Sequence, residues 1–131
     1  MSRVGFDTGE FGMPSFLLSG DLTFPSQVTG LARQLGFDLE LAMNVPALLD
    51  KAVAVGAKAV ILDLTTAGLN PAELVPRLRA LPQPPQVILA FGPHVQETRL
   101  DAARQAGCDL VLTRGQFHAR MDDVLRQYLG E

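Results

Sequence analysis

Three side chains stand where chemistry could be done: Asp21, Asp63 and Arg114. Each follows a short apolar run, in Phe16-Leu-Leu-Ser-Gly-Asp21, Ala59-Val-Ile-Leu-Asp63 and Leu110-Val-Leu-Thr-Arg114. An acid at the end of a buried strand lies where open α/β sheets hold their ligands, outside the carboxyl ends of the strands. Two carboxylates brought together there can hold a hard cation such as Mg²⁺, with water in the remaining positions. An arginine in the same crevice binds a further oxygen. That set suits phosphoryl chemistry, where metal and cation share the charge of the transferred group. One aspartate can itself be the nucleophile and form an aspartyl phosphate. The same residues equally suit an Asp–Arg ion pair that only caps the strand ends, and spacing alone leaves both readings open.

The elements that would position these groups can be read in order. Phe16 to Ser19 is a short buried strand. Thr23 is placed to cap the next helix, with Pro25 in its first turn. Val28, Leu31, Ala32 and Leu35 share one helical face, and Gly36 closes it. From Phe37 to Met43 the chain alternates: Phe37, Leu39, Leu41 and Met43 face one way, Asp38, Glu40 and Ala42 the other. That is the period of a half-buried edge strand. Asn44 and Pro46 open a helix with Leu48, Leu49, Ala52 and Val53 as its stripe, ended by Gly56. Residues 58–63 read as a strand buried on both faces. Asn70, Pro71 and Glu73 have capping-box spacing, and Leu74, Val75, Leu78 and Leu81 face inward. Pro76 removes a hydrogen bond and clashes with the preceding turn, so that helix is expected to bend or to start later.

Val87 to Phe91 is a fourth strand. Val95, Arg99, Ala102, Ala103 and Ala106 space out a weakly apolar helix ended by Gly107. Leu110 to Leu112 is a fifth strand, and Phe117, Met121, Val124, Leu125 and Tyr128 form one last helix. Five strands alternating with five helices predict a three-layer, doubly wound, flavodoxin-like parallel sheet. An edge-like second strand beside a fully apolar first one predicts the order 2-1-3-4-5. The switch point then lies between strands one and three, which brings Asp21 and Asp63 to the ligand crevice. Residues 15–131 make the domain. Residues 1–14, with Gly5, Gly9, Gly12 and Pro14 out of period, read as an arm outside it.

Composition narrows the function classes. The chain has 131 residues, 47% hydrophobic and 19% charged, which is one globular domain with a real core. A net charge of −3 without blocks of like charge argues against a nucleic-acid surface. The single cysteine, Cys108, excludes an internal disulfide and a CxxC-type metal site. No apolar run reaches the ~18 residues of a membrane span. The N-terminus lacks the apolar segment of a signal peptide, so a cytoplasmic location is expected.

The segment Val60-Ile-Leu-Asp-Leu-Thr-Thr-Ala-Gly-Leu-Asn70 is similar to the phosphorylation segment of receiver domains of two-component response regulators. Gly107-Cys-Asp-Leu-Val-Leu-Thr-Arg114 resembles the segment that leads to the receiver's lysine. The resemblance covers about residues 15–129. It implies Asp63 as phosphoacceptor and Asp21, Asp63 and the Thr65 carbonyl as ligands of Mg²⁺, with Thr65 and Arg114 against the phosphoryl group. It also implies a protein partner, either a sensor kinase or an effector. A homodimer through the face of the fourth helix, fifth strand and last helix would place Phe117 and Tyr128 in the interface.

The chain departs from that pattern at the positions that make the switch. Gly20 stands in place of the first of two acids, which weakens the metal site. Phe91 replaces the hydroxyl residue of strand four, Arg114 the lysine, Gly115 the following proline, and Ala67 the proline of the phosphorylation loop. Val111 loosely matches the switch aromatic. Moving a two-state equilibrium from 1:99 to 99:1 takes roughly 5.5 kcal/mol. The lost hydroxyl alone removes about 1.5–3 kcal/mol of charge-assisted hydrogen bonding. The expectation is therefore a pseudo-receiver: no enzyme, but an interaction module with a degraded switch, Phe91 plugging the vacated site. A working single-domain regulator phosphorylated on Asp63 is the alternative. A nucleotide-binding protein or phosphohydrolase ranks last, since no glycine-rich phosphate loop follows strand one. His94 and His118 read as surface residues, and Cys108 as a small core residue.

Overall fold

The apolar runs become the strands of one parallel sheet. The computed structural model describes residues 13–21 and 23–130. The strands are β1 (Ser15–Leu18), β2 (Leu39–Ala42), β3 (Ala59–Asp63), β4 (Val87–Gly92) and β5 (Leu110–Thr113). They lie in the order β2-β1-β3-β4-β5, every neighbouring pair parallel, as expected. The register sets Leu18 beside Ala42 and Leu62, and Asp63 beside Phe91. The helices are α1 (Phe24–Gln34), α2 (Val45–Val55), α3 (Pro71–Arg79), α4 (Glu97–Ala106), α5 (Arg114–Ala119) and α6 (Met121–Leu129).

Alternation along each strand sends successive side chains to opposite faces. Val60, Leu62, Ile88 and Ala90 join a core with Leu48 and Ala52 of α2, Leu74 and Leu78 of α3, and Leu100 of α4. Ala59, Ile61, Leu89 and Phe91 join a second core with Val28 of α1, Phe117 of α5 and Leu125 of α6. The sheet is thus wound on both faces, and its apolar strands have no solvent side. No helix among the described residues is long and apolar enough to cross a membrane.

Several local expectations are corrected. The last helix is two, because Arg120 leaves helical geometry (φ −113°, ψ 19°). Its N–H closes α5 on the Gln116 carbonyl, and its carbonyl accepts from Val124 to open α6. A capping box between Thr113 and Gln116 pins α5 to the end of β5, so each segment seats its own apolar residues. Thr23 precedes α1 but makes no side-chain cap bond; Asp21 Oδ1 accepts from the Thr23 amide instead, at 3.3 Å. Asn70 caps α3 through Ala72 N at 3.1 Å. That helix does begin at Pro71 and carries Pro76 inside it.

Val95 lies outside α4, exposed in the turn closed by Gln96 N on the Pro93 carbonyl, and Leu100 is the helix's large core residue. Met43 and Val53 are exposed rather than inward. Met43 follows the last paired residue of β2. Val53 is turned about 100° from Ala52, past the edge of the stripe that Leu48 and Ala52 bury. On β2, Leu39 and Ala42 fill different cores while Glu40 is exposed and Leu41 partly buried, so the edge strand is half-buried as expected, with Ala42 turned inward on the face of Glu40. The arm at 1–14 falls outside the described residues except Met13 and Pro14; the Pro14 carbonyl accepts from Lys58 N at 2.8 Å and so joins the fold.

Candidate functional site

Asp63 ends β3 and is buried, 3% exposed. Both carboxylate oxygens are engaged. Oδ2 accepts from Ser19 Oγ at 2.7 Å, and Oδ1 accepts from Thr65 N at 3.0 Å and Thr65 Oγ1 at 2.7 Å. The Thr65 bonds are local, an Asx-type turn at the start of the loop, completed by Thr66 N donating to the Asp63 carbonyl at 3.0 Å. Ser19 is brought in by topology: β1 lies beside β3, and Ser19 shares the parity of Leu17 and faces the same side as Ile61 and Asp63. The Ser19 hydroxyl also accepts from Asp21 N at 3.2 Å, so one oxygen links the segments carrying the two acids. Sequence reasoning ended the first strand at Ser19 and gave it no role. Its place two residues after Leu17, on the face of the acid, is the signal that could have found it.

Asp21 and Arg114 do meet, as an ion pair of 3.1 Å that is partly exposed, 36% and 44% by side chain. The Arg114 guanidinium also sits over the Phe24 ring, 4.5 Å from its centre, in a cation–π contact. Phe24 meets Phe91 edge-on at 5.5 Å, and Phe91 stacks on Phe117 at 4.7 Å and 11°. Phe91 is therefore held in the core beside the end of β3. Phe117 is 2% exposed and cannot contribute to the partner face expected of it, while Tyr128 remains half-buried. Val111 is half-buried against the α2–α4 core. His94 and His118 are exposed, as expected, with His118 6.0 Å from the Phe24 ring. Burial, reinforced by Asp109, pushes the Cys108 thiol up to about 11 against the opposing pull of Arg79, which suits an inert packing residue.

Mg²⁺ fits this donor set poorly. Both carboxylates are engaged, Asp21 by Arg114 and Asp63 by Ser19 and Thr65. No group of three or more His, Cys, Asp or Glu able to hold a metal occurs among the described residues. Gly20 contributes nothing, although a Cβ there would make only ordinary contacts, 3.9 Å from the Met43 carbonyl and 4.0 Å from Thr66 Cγ2. Space is not what keeps a second acid out.

The Asp21–Arg114 pair is expected to contribute little to stability. A double-mutant cycle with Asp21→Ala and Arg114→Ala, read by urea denaturation, should give a coupling of about 0.2–1 kcal/mol that shrinks as salt is added. A coupling several times larger would mark the pair as part of the core.

No family model matches the chain, and no curated protein matches it. Solved structures do. The receiver domain of the sensor histidine kinase PA1611 from Pseudomonas aeruginosa PAO1, solved with magnesium in its active-site cleft, superposes with a TM-score of 0.73 at 18% identity, over 91% of this chain and 99% of that one. The chemotaxis response regulator CheY4 of Vibrio cholerae gives 0.74 at 18% identity, over 89% and 99%. A response regulator receiver domain from Bermanella marisrubri gives 0.76 at 17% identity, over 88% and 96%. At these identities the likeness is one of fold: this chain has the receiver fold over nearly its whole described length.

Proposed function

We propose that the chain is a receiver-like signalling module that acts by binding a protein partner, its phosphorylation switch degraded. The observation that carries this reading is Phe91. It occupies the strand position beside Asp63 where receivers keep a hydroxyl, and it is locked there by Phe117 and Phe24. Three further features support it. Arg114 is held by Asp21 and Phe24, Asp63 has both oxygens occupied, and Gly20 leaves the metal site a carboxylate short.

A phosphoryl group on Asp63 would have to displace Ser19 or Thr65 and would find no hydroxyl on β4 to hold it. With the charged groups already paired, the crevice behaves as a closed structural cap. The module then acts through its surface, toward a sensor kinase, an effector or a second copy across α4, β5 and α6.

The test is direct. The protein is incubated with Mg²⁺ and acetyl phosphate and its intact mass read, with Asp63→Ala alongside. No phosphoryl adduct is expected on either protein. The triple variant Gly20→Asp/Phe91→Thr/Arg114→Lys, which restores the receiver's groups, is the positive arm. An adduct on the unaltered chain that disappears in Asp63→Ala would instead make it a working phospho-receiver with Asp63 as acceptor.

A further inference from the structure

Arg114 is held from three sides. It is the first residue of α5, and the capping box of Thr113 and Gln116 fixes its backbone through bonds of 2.9 and 3.1 Å. Its guanidinium donates to Asp21 Oδ2 at 3.1 Å and lies over the Phe24 ring, 4.5 Å from the centre. Phe24 is the first residue of α1 and is 5% exposed. Its ring meets Phe91 edge-on at 5.5 Å and Phe117 edge-on at 6.0 Å. The platform under the cation therefore belongs to the core, while Asp21 approaches from the segment after β1.

The strength of the Asp21–Arg114 pair does not by itself decide what else Asp21 can bind. A pair this exposed shifts an equilibrium only a few-fold. Its position matters more. A divalent ion held by Asp21 and Asp63 would share Asp21 with a guanidinium already on it. Charges of +1 and +2 within ~6 Å repel even at the dielectric of water, enough to weaken binding about tenfold or more. Swinging the guanidinium aside gives up its cation–π contact with Phe24. Asp63 offers no independent foothold, since Ser19 and Thr65 donate to both its oxygens. Gly20 adds no further carboxylate, although a side chain would fit there.

We propose that Arg114 is the crevice's built-in cation: its guanidinium, tethered over Phe24, neutralises Asp21 in place of a divalent ion and keeps that ion out. Metal exclusion is then a property of one side chain, and the module keeps its fold and its surface whatever the divalent concentration. The inference rests on the reading of this crevice as a degraded switch and names what closes it to metal. Phe91 bears on the phosphoryl group, Arg114 on the cation.

Mg²⁺ is titrated into the full ¹⁵N-labelled chain and into Arg114→Met, which keeps an apolar side chain over Phe24. Arg114 is partly exposed, so that variant should fold. The unaltered chain should show no saturable shift of the Gly20, Asp21, Asp63 and Thr65 amides at millimolar Mg²⁺. Arg114→Met should show one, with affinity raised about tenfold or more by the lost repulsion. Arg104→Met removes the same charge from an exposed pair with Asp101 on α4 and should bind no better than the unaltered chain. Adding Asp21→Asn to Arg114→Met should abolish the gain. The proposal is overturned by saturable shifts in the unaltered chain, or by an Arg114→Met that binds no tighter. It is also overturned if Arg104→Met gains as much, or if the double variant keeps the gain. Metal shifts and phosphoryl adducts are separate readouts. Mg²⁺ bound by the unaltered chain without an adduct defeats this inference and leaves the degraded-switch reading. An adduct on a chain whose amides Mg²⁺ leaves unmoved does the reverse.

Discussion

Phe91→Ala is expected to lower the stability of the fold by about 3–5 kcal/mol, measured by urea denaturation. The ring is 1% exposed, so its whole apolar surface returns to water on unfolding. Truncation would also leave a cavity bounded by Phe24 and Phe117, whose contacts with the ring, edge-on and stacked, add about 0.5–1.5 kcal/mol per pair beyond area. Phe91→Leu, which keeps most of the volume, should cost about 1–2 kcal/mol. Phe117→Ala should resemble Phe91→Ala, and the double variant should lose less than the sum because the two rings share one contact. A loss under about 1 kcal/mol for Phe91→Ala would mean that the crevice is loosely filled, and the proposed plug would lose its physical basis.

Asp63→Ala carries the second large effect, a destabilisation of about 2–4 kcal/mol in the same assay. The carboxylate accepts three hydrogen bonds; its removal strands the buried Ser19 hydroxyl and frees the loop that the amide and hydroxyl of the exposed Thr65 tie to β3. Asp63→Asn should cost less, about 1–2 kcal/mol, because its amide oxygen can still accept from Thr65. Ser19→Ala leaves Oδ2 without its donor, and a cycle with Asp63→Ala isolates that one bond. The sign bears on function. A carboxylate kept for chemistry at a cost to the fold gives a more stable protein when removed. A carboxylate that ties β1 to the loop after β3 gives a less stable one, and that is the outcome its saturated bonding predicts.

The strand order was legible because two patterns coincide: Val60, Ile61 and Leu62 have no polar alternation, while Asp38 and Glu40 interrupt the second strand. A strand with no solvent face belongs in the middle of a parallel sheet, and one that tolerates charges belongs at its edge. Helix starts at Asn44 and Asn70 and the stop at Gly107 were equally local, since a side-chain acceptor or a positive φ acts within a turn. The glycine at 107 takes φ 101°, a conformation other residues seldom adopt.

The break at Arg120 was not legible, because Phe117, Met121, Val124 and Leu125 keep helical spacing straight through it. Only the seating of Phe117 on Phe91 and of α6 on the sheet distinguishes two segments from one. The same limit applied to the crevice. The sequence alone determined that acids end the first and third strands, that a cation ends the fifth, and that the fourth strand carries Phe91 and no hydroxyl near its end. Tertiary structure decided who holds whom. Asp63 is satisfied by Ser19, 44 residues away, and Arg114 by Asp21, 93 residues away, with Phe24 beneath it. Such pairings depend on which strands become neighbours and on which face each side chain leaves its strand, and no spacing along the chain encodes a distance between them.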